Sequence, residues 1–493
     1  MTSDKTEKSL SRQSVEGAAL LVATRFCARF IGFISVSITA RILTPDDFGL
    51  VGAASLVIGL FAVLNQIGLS EYIIRTKDIE KKQLHTIWTI RLLISSSIAM
   101  GIFAAAPLAA EVLQDPRLVE VLRVLCAVSV LSALQSPATQ FFARNLDFGK
   151  DLVLKSLDKI VAVMVTIAGA YYFQTFWALV WGQLAGAAFS VLSSHIAMPF
   201  RPMLSLGGGQ AMARFAVRTF VMGILNYGVH SIDEWIAKRS STTAEFGGYH
   251  VARDLCRLLV SELISPAGHV FFPGAAKVQE NPAHLNEIVG RFAGAAFVAS
   301  FAVSTGVAAV ASEVIYMFLG YQWGAAIAFV PYIAFGTGAI ILVDLFAGLY
   351  VIKDAQNRSS SFRFMRLSLL IIGCGVMGAQ WGLIGIARAY AAAAIVSALI
   401  ELLWLFSKSM YQVSLLKITW RPFVAAVAMF GLVGLISVPV SWPLVIVAVC
   451  KVAAGAVTYV SVLVLLWWIS GRPNGGETEI IQRLRDVFPI FRK

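Results

Sequence analysis

Residues 41–49 read Arg-Ile-Leu-Thr-Pro-Asp-Asp-Phe-Gly, and residues 239–247 read Arg-Ser-Ser-Thr-Thr-Ala-Glu-Phe-Gly. Arg41 and Arg239, Thr44 and Thr242, Phe48 and Phe246, and Gly49 and Gly247 are identical at an offset of 198, and Asp47 is matched by Glu245. Each copy lies between two long apolar runs, so each reads as a loop joining two membrane helices. A helix-loop-helix duplicated at this distance predicts two related halves, a construction common among secondary transporters. It points to movement of a solute rather than to a reaction. Locally, Thr44 followed by Pro45 and then Asp47 is the pattern of a capping box with proline in the first turn, and Thr242 with Glu245 repeats the spacing. The acid pair Asp46–Asp47 is therefore expected to start a helix rather than to bind metal.

Composition sets the environment. The chain is 58% hydrophobic and 14% charged, with a mean hydropathy of +0.76, whereas soluble domains average about 25% charged residues. This predicts an all-α integral membrane protein. Fourteen spans fit the apolar runs, at 15–42, 46–70, 84–110, 117–143, 152–173, 175–199, 212–237, 245–271, 286–312, 325–352, 363–379, 381–407, 420–438 and 443–470. With the N-terminus inside, twenty-five Lys and Arg fall in segments on the cytoplasmic side and three, Arg117, Lys238 and Arg239, on the other. That asymmetry places both termini in the cytoplasm and supports an even span count. It also accounts for the net charge of +12 without nucleic acid as a partner.

The repeat continues past the opening pair. Arg91 matches Arg291, and Ala-Ala-Glu-Val-Leu at 109–113 matches Ala-Ser-Glu-Val-Ile at 311–315. Residues 1–200 and 210–408 are thus expected to be two six-helix lobes related by a pseudo-twofold axis, joined by a linker containing Gly207, Gly208 and Gly209. Residues 420–470 add two spans outside the duplication. From 471 to 493 a cytoplasmic tail is expected, with Ile480, Ile481, Leu484, Val487 and Phe488 on one face of an amphipathic helix.

Charges inside the apolar runs are the candidate functional residues, because an arginine near a membrane helix centre must face protein or water. Arg25 and Arg29 share one face of the first span at i, i+4 spacing, and Arg253 and Arg257 repeat that spacing on the eighth. Arg218 lies in the seventh span, Arg388 in the twelfth, and Arg91 and Arg291 near the ends of the third and ninth. Intramembrane acids are fewer: Asp233, Glu234, Asp254, Glu262, Asp344 and Glu401. An excess of arginine predicts a cationic cavity, and the guanidinium fork suits phosphate. Arg25, Arg29, Arg253, Arg257 and Arg218 are the expected substrate ligands. His230 and Asp233, in line with Asn226 on the seventh span, and Asp344 on the tenth are candidates for ion coupling. Tyr171, Tyr172, Phe173, Trp177 and Trp181 at the turn between the fifth and sixth spans read as an interfacial belt.

Several chemistries find no residues to carry them. The five cysteines, Cys27, Cys126, Cys256, Cys374 and Cys450, lie far apart in apolar runs without metal-ligand spacing. The polar stretch 1–17 lacks the apolar core of a signal peptide. Neither a Walker A sequence nor GxSxG nor HExxH occurs, so no enzyme activity, cofactor or metal is expected.

The segment 40–49 resembles the opening of the polysaccharide transporter branch of the multidrug/oligosaccharidyl-lipid/polysaccharide exporter superfamily, the Wzx-type flippases. Gly68-Leu-Ser-Glu-Tyr-Ile-Ile-Arg-Thr-Lys-Asp78 and the stretch 272–285, FPGAAKVQENPAHL, are similar to further segments of that branch. Arg144-Asn-Leu-Asp-Phe148 also resembles it, with Asp147 where a basic residue is usual. The resemblance covers most of 15–470. It implies a V-shaped, MATE-like transporter that moves undecaprenyl-diphosphate-linked oligosaccharide repeat units across the bacterial inner membrane, for exopolysaccharide, O-antigen or capsule biosynthesis. A polysaccharide polymerase and co-polymerase are the implied protein partners. The alternatives are a cation-coupled multidrug exporter of the same superfamily and, from a different class, a membrane polysaccharide polymerase or ligase.

Overall fold

The computed structural model describes residues 30–65, 73, 80–145, 147–205, 210–407, 410–436 and 442–472, and its regular elements are helices with no strand among them. The linker glycines 207–209, the tail beyond 472 and most of 68–78 lie outside these residues. Eight described helices are long and apolar enough to cross a membrane: Pro45–Ala62, Lys82–Val112, Trp177–Ala197, Pro282–Ala309, Val330–Ile352, Gln356–Leu405, Leu415–Leu435 and Leu444–Ile469. Gln356–Leu405 is a hairpin of two arms. Gly382 turns the chain at φ 58°, a left-handed value that glycine adopts without a Cβ clash. Gly373 then faces Ala389, and Gly378 faces Ile386, across the arms.

Packing divides the chain into two compact units, Met1–Gly247 and Gly248–Lys493. The division falls within the helix Thr243–Ile264. It is drawn by contacts, whereas the repeat boundary near 200–210 is drawn by sequence similarity.

In the first unit, Phe148–Phe173 and Trp177–Ala197 form a tight hairpin. Small residues let the helices approach closely: Gly182 sits against Thr166, and Gly186 against Ala162. The turn carries Gln174 in the left-handed region and presents Tyr171, Tyr172 and Phe173 outward, as a belt at a membrane surface requires. Leu118, Val121, Leu122 and Leu125 bury one stripe of Leu118–Leu134 against Pro45–Ala62 and Trp177–Ala197. The helix Gln210–Arg239 joins this unit through Tyr227. The Tyr227 hydroxyl donates to the Leu56 carbonyl and accepts from Trp235 Nε1 at 2.8 Å, and the ring fills the space over Gly59.

In the second unit, Pro282–Ala309 packs on Val330–Asp344 and on Leu415–Leu435, and Leu444–Ile469 packs on Leu415–Leu435. Phe271 stacks on Phe292 with centroids 3.8 Å apart, and Phe346 meets both edge-on. Two polar contacts tie the last helix to the unit: Lys451 Nζ donates to Glu313 at 2.6 Å, and the Tyr459 hydroxyl donates to the Val298 carbonyl at 2.8 Å. Glu313 holds the position in 311–315 that Glu111 holds in the matching segment 109–113. Outward-facing Val449, Val452, Val457 and Ile469 leave this helix apolar on its exposed side. So much exposed aliphatic surface suits a lipid solvent.

Candidate functional site

Both copies of the duplicated loop form the expected capping box, with nearly the same geometry. Thr44 donates from its backbone N and Oγ1 to Asp47 Oδ2 at 2.9 and 2.7 Å, and accepts from the Asp47 N–H at 3.3 Å. Thr242 makes the same three bonds with Glu245 at 3.0, 2.9 and 3.3 Å. The two glycines have a function beyond the turn. A Cβ at Gly49 would strike the Thr243 carbonyl, and a Cβ at Gly247 would strike the Pro45 carbonyl. The two helix starts therefore cross in backbone contact, each through the other's glycine.

The acids and bases around this crossing are committed to one another. Arg117 binds Asp46 at 2.6 Å and Asp115 at 2.8 Å. Thr243 Oγ1 donates to Asp115 at 2.8 Å and accepts from the buried Lys238 Nζ at 3.1 Å. Arg239 donates to the Val112 carbonyl at 2.7 Å, and the Phe176 N–H donates to Asp47 at 2.9 Å. Burial alone would raise the Asp115 carboxyl, but the hydrogen bonds from Arg117 and Thr243 outweigh it and hold it below the usual carboxylate range. Arg117, bonded to Asp115 and Asp46, is held still more firmly protonated than an ordinary arginine. These are the three cations that the sequence places opposite the cytoplasmic side, and each has a partner here. Among the described residues, no group of His, Cys, Asp and Glu is arranged to hold a metal ion.

The remaining candidates of this unit divide. Arg25 and Arg29 lie outside the described residues, and Arg218 belongs to Gln210–Arg239 with its side chain outside them. Along that helix Asn226 is exposed, His230 half-buried and Asp233 fully buried, so the polar stripe runs from the surface into the protein. Arg91 donates to the Ser132 carbonyl at 2.6 Å.

In the second unit the structure draws several candidates together and adds new ones. Arg253 is buried, with its guanidinium 4.5 Å from the centre of the Tyr390 ring. Arg257, one turn on, is exposed, so the pair expected to act alike has one packed and one accessible member. Asp254 reaches back to His250 at 3.8 Å. Arg388 lies over Tyr332 and Trp381. Arg366 and Glu401 form a buried ion pair at 3.5 Å, completed by Ser397, which accepts from Arg366 Nε at 3.0 Å, and by Tyr350, whose hydroxyl donates to Glu401 at 2.9 Å. Asp344 ends the helix Val330–Asp344 with its side chain exposed.

Arg366 and Arg421 correct the sequence reading. Both count there as cytoplasmic loop cations, yet each is only 4% exposed. The expected spans 363–379 and 420–438 put both arginines in their first turn; the helices begin earlier, at Gln356 and Leu415, so each arginine lies more than a turn from its helix start. Glu401, an acid without a basic neighbour on its own helix turn, was the one signal that Arg366 had a partner. Arg291, the repeat partner of Arg91, pairs with Glu287 one turn back on the same helix, at the surface.

Two of the helices that carry these charges, Val330–Asp344 and the second arm of the hairpin, wall an apolar cavity of about 770 Å³ together with Pro282–Ala309 and Leu415–Leu435. Phe301, Leu342, Leu399, Leu402 and Phe423 line it, with Ser300, Ser304, Thr305 and Thr419 as its few polar groups. Leu342 is two residues from Asp344, and Leu402 adjoins Glu401. Fixed charge and an apolar chamber thus stand on the same two helices.

Eight described helices long and apolar enough to cross a membrane, with an ion pair buried among them, define a multi-pass membrane protein. Residues 38–328 match the family described as polysaccharide biosynthesis protein, and the chain belongs to that family. It is 20% identical over 422 residues to the lipopolysaccharide biosynthesis protein WzxC of Escherichia coli (strain K12), covering 84% of this chain and 86% of that one. It is 26% identical over 248 residues to the succinoglycan biosynthesis transport protein ExoT of Rhizobium meliloti (strain 1021), about half of each chain. Among solved structures, lipid II flippase MurJ in an inward closed conformation superposes with a TM-score of 0.75 at 12% identity, over 92% of this chain and all of that one. An inward-facing multidrug resistance MATE family transporter of the MOP superfamily gives 0.58 at 15% identity, over 76% and 93%. These likenesses establish the fold, all-helical and of the MurJ and MATE type.

Proposed function

We propose that the chain is a flippase that carries undecaprenyl-diphosphate-linked oligosaccharide repeat units across the bacterial inner membrane by alternating access, for surface polysaccharide biosynthesis. It acts as a carrier and not as an enzyme, with fourteen crossings in two lobes plus two helices and both termini in the cytoplasm. A polymerase and co-polymerase take up the repeat unit on the far side.

Membership of the polysaccharide biosynthesis protein family supports this reading, and one observation carries it to the substrate. In the second unit, the buried Arg366–Glu401 pair and Asp344 stand on helices that also wall a large apolar cavity. A lipid diphosphate has these two parts, an anion that a guanidinium fork binds in two places and a long hydrocarbon that prefers an apolar wall. Arg257, with Arg25, Arg29 and Arg218 from the first unit, is assigned to the diphosphate or to an acidic glycan, and Arg253 supports the same helix face from its seat on Tyr390. His230, Asp233 and Asp344 are assigned to coupling or charge balance.

Deleting the gene and sorting lipid-linked repeat units by leaflet tests the reading. Repeat units accumulate on the cytoplasmic leaflet, and polymer returns with the wild-type gene. It does not return with Arg25→Ala combined with Arg257→Ala at equal expression. Normal polymer in the deletion strain, or full rescue by the double variant, overturns it. Essential acids with dispensable arginines, together with drug efflux, identify a cation-coupled exporter instead. Turnover of lipid-linked sugar by purified protein without movement across a bilayer identifies a polymerase or ligase.

A further inference from the structure

The chain that leaves Trp177–Ala197 continues through an irregular strap, 198–205, toward the helix Gln210–Arg239. The two halves of the strap are held differently. The first is built into the protein. Ser136, fully buried, donates from its Oγ to the Met198 carbonyl at 2.9 Å and from its N–H to Ser194 at 3.1 Å. Phe200 packs on Leu84 and Ile87 and meets the His85 ring with centroids 5.0 Å apart. The second half rests on two hydroxyls of Lys81–Val112. Thr89 Oγ1 accepts the Ser205 N–H at 3.0 Å, and the Thr86 and Ser205 hydroxyl oxygens are 3.2 Å apart. The Thr89 hydroxyl has one proton to give, and the His85 carbonyl at 2.8 Å competes for it with the Met203 carbonyl at 3.4 Å. Apolar burial adds little here, since Met203 is 65% and Leu204 78% exposed. Arg201 and Pro202, both exposed, separate the halves.

We propose that 203–205 is a latch that lets go of Thr86 and Thr89 in each transport cycle, while 198–200 stays on the first lobe. This deepens the flippase reading and rests on it, with its two lobes. Alternating access by two repeats is largely a rigid-body rocking of one against the other, so the chain that crosses from 1–200 to 210–408 must give somewhere. It gives where the least is lost. Freeing 203–205 uncovers hydroxyls and an amide, and water satisfies these about as well as threonine does. Freeing Phe200 would instead bring apolar surface into water, and losing the Met198 carbonyl would strand the buried Ser136 hydroxyl. Thr86 and Thr89 lie three residues apart, on one face of their helix, so the latch returns to the same register each time it closes.

The test is a reducible bridge between Thr86→Cys and Ser205→Cys, where the native oxygens already stand close enough for a disulfide after a small side-chain turn. Inverted membrane vesicles from the deletion strain, carrying either the wild-type gene or the double variant, build lipid-linked repeat units from added labelled nucleotide sugars. Passage across the bilayer is read as label shielded from impermeant periodate. Mild oxidation closes the bridge and cuts passage by about tenfold, as blocking a required conformational step does, and dithiothreitol restores it. Wild-type vesicles given the same oxidant keep full passage. Thr89→Val is the second variant, read in detergent by amide exchange. It speeds exchange at Ser205 by about fivefold, the worth of one ordinary hydrogen bond, and leaves Met198 unchanged. A bridge that forms completely, by the mass of the joined peptides, with passage undiminished overturns the latch and leaves the flippase reading intact. So does failure of the two cysteines to join, or wild-type exchange at Ser205 in Thr89→Val. Label that stays open to periodate in wild-type vesicles removes both.

Discussion

In the first unit, Arg117, Lys238 and Arg239 end on Asp46 and Asp115, on Thr243 and on the Val112 carbonyl. In the second unit, Arg366 is equally committed to Glu401 and Ser397, but Arg363 one turn before it is only half-buried and Arg257, on another helix, is exposed. The contrast separates two uses of a cation in a membrane protein. Where acceptors converge on it from several elements, the charge fixes helix ends and is spent on the fold. Where a guanidinium stays at the surface, something that arrives can still reach it. Position in the sequence does not distinguish the two cases, because Arg366 and Arg363 are three residues apart on one helix.

The strongest way to break this comparison is through the crossing that the first network surrounds. Gly49 and Gly247 each press on the other helix's backbone, which cannot rotate away as a side chain can. Gly49→Val or Gly247→Val is expected to destabilise by about 3 kcal/mol, the upper range for overpacking, and to remove most monodisperse protein in size-exclusion chromatography. Gly434→Ala is the control. Nothing lies within 4 Å of a Cβ there, and it is expected to be neutral or stabilising by about 0.5 kcal/mol, as alanine is the better helix former. Stable, monodisperse Gly49→Val protein would mean that the crossing is not a fixed part of the fold.

A smaller effect is expected at Asp115, whose carboxylate accepts from both Arg117 and Thr243. Asp115→Asn should cost about 2 kcal/mol, since it weakens charged hydrogen bonds and leaves Arg117 with Asp46 alone. The pH dependence has a definite sign. The folded-state carboxyl lies below its unfolded value, so the folded chain prefers the ionised form. Its contribution is complete above the unfolded value of about 4 and is lost as pH falls through the lowered folded one. The thermal midpoint of the wild type should therefore drop on acidification below about pH 4 more steeply than that of Asp115→Asn. Parallel curves for the two proteins would remove Asp115 from the stabilising network.

Much of this fold is visible in the sequence because its signals are local. The caps at Thr44 and Thr242 follow from a three-residue spacing, the spans from apolar run length, and the hairpin from two adjacent runs, 363–379 and 381–407. The repeat also exposes Gly49 and Gly247, but only as turn residues, since close approach of two backbones is a tertiary property with no local pattern. Charges are harder for the same reason. Depth along a helix can be counted, and it singles out Arg253, Arg257 and Asp344. Partners cannot, so Arg366 and Arg421 pass for cations at a helix end until their burial is known, and Arg253 and Arg257 look equivalent until Tyr390 is found under one of them. Arg25 and Arg29, which the sequence ranks with them, lie outside the described residues.

The smallest expected effect is the most discriminating, because it compares two copies of one motif. Thr44 and Thr242 make the same three bonds to distances within a few tenths of an ångström, so Thr44→Ala and Thr242→Ala should each cost about 1 kcal/mol, the usual loss for an N-cap. The acids should not match. Asp47 caps Thr44 and also accepts the Phe176 N–H at 2.9 Å, tying the start of Trp177–Ala197 to this loop. The bonds of Glu245 run to Thr242 of its own turn. Asp47→Ala should therefore cost roughly 1 kcal/mol more than Glu245→Ala, the value of one further charged hydrogen bond. In a double-mutant cycle the Thr44–Asp47 and Thr242–Glu245 coupling energies should agree, leaving the excess in Asp47 alone. Equal losses at Asp47 and Glu245 would show that the Phe176 contact contributes nothing, and that the two copies have kept the same energetics as well as the same caps. Unequal coupling energies would show that the caps themselves have diverged, a difference that their matching residues conceal.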